Sequence, residues 1–383
     1  MLDSGVDLRH PDLNAQAGIN CVGSGPPNDE LGHGTFVAGV IGARNSGSGI
    51  VGVAPGARVY AVKVLDSTGG GLISQVICGI DWVTANAAAL NIRVANLSLG
   101  APGIPSTCGS DPLHAAVCTS TAAGVLYTAA AGNSGSDFGG SSPEVPASYP
   151  EVLTVTGMSD TNGVPGGGGA APSCTTGLGE SDDVAASFSD YATAEADAAH
   201  TIAAPSVCIQ STDLGGGYLT ESGTSAAAPH AAGVAALCHG EGGAAGPCAG
   251  LMPVQIVQKL RTDAAAYATP TNGFVGDPLH PIGRFYGHLV SAEQSTRPVP
   301  RLQPTSAPGP PVRRAAPGAR KRCRVPNLRG LGKAKARRKL KRAGCRYRMR
   351  GRGRVRSTVP RAGKRTAKTV LVRLGRGSSR GSR

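Results

Sequence analysis

Three short stretches of this 383-residue chain carry the side chains of a nucleophilic reaction. "LDSG" presents Asp3, "GHGTFVAGVIG" presents His33, and "SGTSAAAPHAAGVAALC" presents Ser225. A serine hydroxyl attacks a carbonyl only when an imidazole takes its proton, and that imidazole needs a carboxylate to fix its tautomer and stabilise its charged form. Asp, His and Ser in this chain order supply an acid, a base and a nucleophile. A fourth stretch, "AAAGNSG", offers Asn133. Its amide can donate to the oxyanion that forms on attack, with the backbone N–H of Ser225 as second donor.

These side chains need a scaffold, and the intervening sequence alternates short branched-apolar runs with helical spacing. Arg58–Asp66, Asn91–Gly100, Gly124–Gly132 and Glu151–Gly157 read as buried strands. Leu72–Ala88 and Leu113–Ala123 read as helices between them, His33 opens a helix, and Ser225 stands at the mouth of an Ala-rich one. Strand–helix repetition predicts an α/β fold, a mostly parallel sheet flanked by helices, with the chemistry at the carboxyl ends of the strands. Gly163–Gly179 is Gly-rich and reads as a surface insertion.

The motifs resemble those of subtilisin-like serine proteases, the subtilases, from Leu2 to about Leu260. The resemblance implies Asp3, His33 and Ser225 as the triad and Asn133 as oxyanion donor. It also implies that Ser98, Leu99 and Gly100 pair with an extended substrate backbone, and that protein or peptide substrates are hydrolysed through an acyl-serine intermediate. No cofactor is implied for catalysis. A structural calcium is implied at Asp12, with Asn45 as a further ligand; Asp7 and Asp12 otherwise read as loop residues. Glu144 aligns with the floor of the specificity pocket and predicts a preference for a basic residue there. His230, on the serine's own helix, is expected to make a structural hydrogen bond. Phe36, Ala226 and Ser206 depart from the usual His, Met and Gly of the family.

The family carries an apolar strand ahead of the catalytic Asp, of which only Met1 and Leu2 stand here. The expectation is that Met1 is not the true start, and that a strand, a propeptide and an export signal lie upstream. Ten cysteines argue for an oxidising compartment, so a secreted or cell-envelope location is expected. Cys108 with Cys118, Cys238 with Cys248, and Cys323 with Cys345 close short loops and are candidate disulfides. No apolar run is long enough to span a membrane.

Charge divides the chain. Residues 1–296 hold eight Lys/Arg against 24 Asp/Glu, whereas residues 297–383 hold 30 Lys/Arg and no acid. The expected layout is a peptidase domain over 1–290, a Pro-rich linker over 291–320, a basic module over 321–376 and a disordered tail over 377–383. Within the module a strand at "CRVPNL", a helix over Lys333–Ala343 and a strand over Thr369–Leu374 predict a small α+β unit. Val325-Pro326, Gly330, Leu340, Ala343-Gly344 and Val359–Lys364 resemble a PASTA module, which implies a cell-wall or envelope ligand. The unbalanced cations would bind any polyanion. Nucleic acid would be held only non-specifically, because Tyr347 is the only aromatic available for stacking. The alternative readings are a catalytic domain left inert, with the tail supplying a binding function, and a basic tail that docks on the acidic domain.

Overall fold

The computed structural model describes residues 1–104, 107–174, 179–240, 242, 244–269, 271–297, 323–350, 354–359, 361–366 and 370–375. The chain divides into two units, Met1–Val299 and Pro300–Arg383. The expected linker beyond residue 297 and the expected tail at 377–383 lie outside the described residues.

In the first unit, the central sheet is built from β1 (Leu2–Asp3), β2 (Asn14–Asn20), β3 (Arg58–Lys63), β4 (Val94–Leu97), β5 (Leu126–Ala130), β6 (Val152–Ser159), β7 (Val184–Ala185) and β8 (Thr201–Pro205). Its order is β8-β6-β5-β4-β1-β3-β2, all parallel, with β7 antiparallel on β6. Tyr127, Leu153 and Val155 are buried on it, as strands covered on both faces require. A hairpin of β9 (Ile209–Thr212) and β10 (Tyr218–Glu221) leads into the serine segment.

Helices α1 (His33–Gly42), α2 (Ile73–Asn86), α3 (Pro112–Ala122), α4 (Thr224–His239) and α5 (Pro253–Tyr267) cover the two faces. Val76, Ile80 and Val83 of α2, at helical spacing, pack with Leu113 and Val117 of α3 on β4 and β5. On the other side the small residues Ala227, Ala228, Ala231 and Ala235 let α4 lie close to Leu126 and Val155. Phe36, Val37 and Val40 of α1 meet Ala226 and Ala232 of α4, so the helices carrying the candidate base and nucleophile pack on each other. A short helix, α6 (Ala292–Thr296), capped by Ser291, occupies the first residues of the stretch read as linker.

The cysteine pairs read from short loops are present, and Cys21–Cys78 and Cys174–Cys208 complete the set of ten. A cavity of about 610 Å³ lies between Arg58–Tyr60 of β3 and Val94–Asn96 of β4. The Met1 amine borders it, donates to the Tyr60 carbonyl at 3.0 Å, and is pushed down to about 5 by burial.

The second unit is β11 (Cys323–Arg324), α7 (Lys333–Arg342), β12 (Tyr347–Arg350), β13 (Arg354–Val359), β14 (Arg365–Thr366) and β15 (Val370–Gly375). β15 is central, parallel to β12 and antiparallel to β13, while β11 pairs with β14. Ala336 and Leu340 turn one stripe of α7 onto Val325, Val355, Val370 and Val372. Its Lys and Arg side chains face solvent. No helix among the described residues is long and apolar enough to cross a membrane.

Candidate active site

Asp3 ends β1, Ser98 follows β4, and Asn133 follows β5, so three candidates share the carboxyl edge of the sheet. Asp3 is fully buried. Its Oδ1 accepts from the Ser4 N–H at 2.7 Å and from His33 Nδ1 at 2.7 Å. His33 is the first residue of α1, and Gly32 before it turns with φ 103°, a conformation that favours glycine. A Cβ on Gly34 would collide with the Gly5 carbonyl, so the helix start rests on the backbone just after Asp3. The negative charge of Asp3 pushes the His33 imidazole up to about 9 against the opposing effect of burial, with Glu221 and Asp29 adding to the rise.

Ser225 lies in the first turn of α4, after Gly223 at φ 156°. Its Oγ donates to the Ser98 carbonyl at 3.3 Å, and no hydrogen bond joins it to His33 among the described residues. Its own carbonyl accepts from Ser98 Oγ at 2.7 Å. Behind that bond runs a buried polar rail. Thr128 Oγ1 donates to Asn96 Oδ1 at 2.9 Å, and Asn96 Nδ2 donates to Ser98 Oγ at 2.9 Å. Two neighbouring strands are thus tied to the nucleophile's helix. Ser206 holds the other side, its carbonyl accepting from the Gly223 N–H at 2.9 Å.

Asn133 is exposed, and its amide is oriented. Oδ1 accepts the Thr224 N–H at 2.8 Å and lies 2.9 Å from the Thr224 hydroxyl. An oxygen fixed on these donors leaves Nδ2 as the free donor, near Gly223 and the first turn of α4. Asp190 supports this turn by accepting from the N–H groups of Ser134 and Ser136 at 2.9 and 2.8 Å. Sequence reasoning missed Asn96, Thr128, Thr224 and Asp190. Each finds its partner only through the fold, although Thr224 stands in the serine stretch itself.

Ser98, Leu99 and Gly100 border a cavity of about 430 Å³ that also contacts His33, Leu31 and Leu65. Glu144 abuts the same segment: a Cβ on Gly100 would strike its carboxylate, and Glu144–Val145 pairs with Ala101–Pro102. Burial pushes the Glu144 carboxyl up, with Asp190 adding to the rise. Asp7 accepts from Arg9 and Gly215 N–H groups and is a loop residue. His230 Nδ1 donates to the Ala226 carbonyl at 2.8 Å, a structural bond as expected.

Asp12, where the resemblance implies a structural calcium, is buried. Its two carboxylate oxygens accept from the Ser46 and Tyr218 hydroxyls. Calcium takes six to eight oxygen ligands from carboxylates, carbonyls and water. Asp160, Asp182 and Asp183 do converge, but they already accept backbone N–H groups of their own loop.

Both units are similar to known families. A profile described as the Subtilase family matches residues 1–280, and one described as the PASTA domain matches residues 324–375. Subtilisin E of Bacillus subtilis (strain 168) is 42% identical over 239 residues, which is 62% of this chain and 54% of that protein. A subtilisin of Bacillus pumilus is 41% identical over 239 residues, 62% of this chain and 74% of that protein. The chain spans about half the length of the first curated relatives it matches. Among solved structures, a cold adapted subtilisin-like serine proteinase covers 76% of this chain and 86% of its own, with a TM-score of 0.55 and 31% identity.

Proposed function

The chain belongs to the subtilase family, and from that premise we propose that it is a serine endopeptidase with Asp3, His33 and Ser225 as its triad. The observation that carries the reading is the bond from His33 Nδ1 to the buried Asp3 carboxylate at 2.7 Å. With Nδ1 protonated, Nε2 is the basic nitrogen. Substrate lies extended along Ser98–Gly100, and the Ser225 hydroxyl leaves the Ser98 carbonyl to face His33. Oγ attacks the carbonyl carbon as its proton passes to Nε2. The oxyanion takes donors from Asn133 Nδ2 and the Ser225 N–H. Collapse returns the proton to the leaving amine, and water repeats the sequence on the acyl-serine. Hydrolysis of an unfolded protein substrate by the chain tests the reading, and binding without turnover would favour the inert alternative.

Specificity follows from Glu144. A half-buried carboxylate beside Gly100, with no cation paired to it among the described residues, favours Lys or Arg on the acyl side of the cleaved bond. In a peptide library Glu144→Gln is expected to reduce that preference by about tenfold or more, roughly 1.4 kcal/mol. A wild-type profile without Lys/Arg preference would remove Glu144 from this role.

The basic unit is proposed to hold the enzyme on an anionic envelope surface such as a wall polymer. Its support is the set of exposed Lys and Arg on α7 over a self-contained apolar core. Five disulfides support an oxidising, extracellular setting. Retention of the full chain on an immobilised polyanion is expected to fall steeply as salt rises, because counterion release and screening set the affinity. No retention at low salt would reject the role, and retention on cell wall that ignores salt would replace it with specific recognition.

A further inference from the structure

Asp29 stands four residues before His33 and belongs to none of the motifs above, yet its carboxylate is the densest acceptor near the site. Oδ1 accepts from Ser4 Oγ at 2.8 Å, from the Leu31 N–H at 3.0 Å and from the Gly32 N–H at 3.0 Å. Oδ2 accepts from the Thr35 N–H at 2.8 Å and the Thr35 hydroxyl at 2.7 Å. The residue is 9% exposed. We propose that Asp29 is a positioning residue for the Asp3–His33 pair, clamping the strand end that carries one to the helix start that carries the other.

The two ends of the clamp explain why. Ser4 is the residue after Asp3, and all its polar atoms are engaged. Its N–H binds Asp3 Oδ1 at 2.7 Å, its Oγ accepts the Gly34 N–H at 2.9 Å, and its carbonyl accepts the buried Lys63 ammonium at 2.6 Å. Gly32 and Thr35 bracket His33 on the other side. A shift of either end moves His33 relative to Asp3, and misplacement by about 1 Å costs about 10²-fold in rate. The clamp requires a carboxylate. All five groups are donors, so an Asn would turn its NH₂ against a backbone N–H in either orientation. The donors hold the Asp29 carboxyl below the ordinary range although burial works to raise it, so it is ionised when the enzyme works. Its charge joins those of Asp3 and Glu221 in raising His33. Lys63 and Glu30, 3.4 Å apart, are the ion pair on the Ser4 side.

The inference rests on the triad reading, and its test separates the two. In the full chain, competent sites are counted by titration with a serine-reactive phosphonate, and kcat is expressed per titrated site. Asp29→Asn is expected to lower that kcat by about 10²-fold with KM within about threefold, and to move the acid limb of the pH profile to lower pH. Thr35→Val and Ser4→Ala each remove one hydroxyl donor. They are expected to lower kcat by several-fold at unchanged KM, and they decide the matter if Asp29→Asn does not fold. A merely structural Asp29 would reduce the number of titrated sites and leave kcat per site and the limb where they were, which overturns the proposal. If Ser225→Ala retained turnover, the triad itself would fall; an inert Ser225→Ala beside a fully active Asp29→Asn removes Asp29 alone.

Discussion

Replacing Ser225 with Ala is expected to lower kcat about a million-fold, while KM stays near the wild-type value. The substitution deletes only an oxygen that donates to the Ser98 carbonyl at 3.3 Å, so the fold should be preserved. The groups that bind substrate and oxyanion, Ser98–Gly100, Asn133 and the Ser225 N–H, all remain. What is lost is the atom that forms the acyl bond, and water must then attack without it. The residual rate should still exceed that of the uncatalysed reaction, because the oxyanion donors and binding act alone. Steady-state kinetics on a peptide substrate check this, and turnover within tenfold of wild type would mean that another residue is the nucleophile.

The second large effect concerns Asp3. Its carboxylate holds Nδ1 of His33 protonated and raises the imidazole to about 9. Base catalysis needs neutral His33, so kcat/KM of the free enzyme should climb as pH rises through that value, losing about tenfold per pH unit on the acid side. The enzyme is therefore expected to work on the alkaline side of neutrality. Asp3→Asn removes the charge and presents an amide to Nδ1. Two changes follow together: turnover falls about 10⁴-fold because the wrong tautomer is favoured, and the acid limb moves to lower pH because the charge that raised it is gone. A pH–rate series on both forms measures the two at once. A limb that does not move would show that Asp3 does not set the basicity of His33.

The legible part of this site was the part written in contiguous residues. A helix that starts on a strand end needs glycines on both sides of His33, and an Ala-rich helix close to a sheet needs small residues after Ser225. These local demands put Asp3, His33, Ser225 and Asn133 into readable stretches. The parallel sheet was legible for the same reason, since Arg58–Lys63, Val94–Leu97 and Leu126–Ala130 are short apolar runs between helical spacings. Thr128 and Asn96, by contrast, are 32 residues apart and meet only because β4 and β5 are neighbours. Thr224 orients Asn133 across 91 residues. The disulfides divide in the same way. Cys108–Cys118 and Cys238–Cys248 span 10 residues each, whereas Cys21–Cys78 spans 57 and depends on α2 lying against β2. At Asp12, where the resemblance implies a calcium ion, the fold brings the Ser46 and Tyr218 hydroxyls to the carboxylate from 34 and 206 residues away. Residue type alone does not name those partners.

The central claim is that Ser225, activated through His33 and Asp3, is the nucleophile. Treating the folded chain with a serine-reactive phosphonate at alkaline pH and mapping the adduct by peptide mass spectrometry tests it most directly. The account predicts one covalent adduct, on the peptide containing Ser225, formed more slowly as pH is lowered and absent from Ser225→Ala and from unfolded chain. A folded chain that takes up no phosphonate, or takes it up on another serine, would contradict the account.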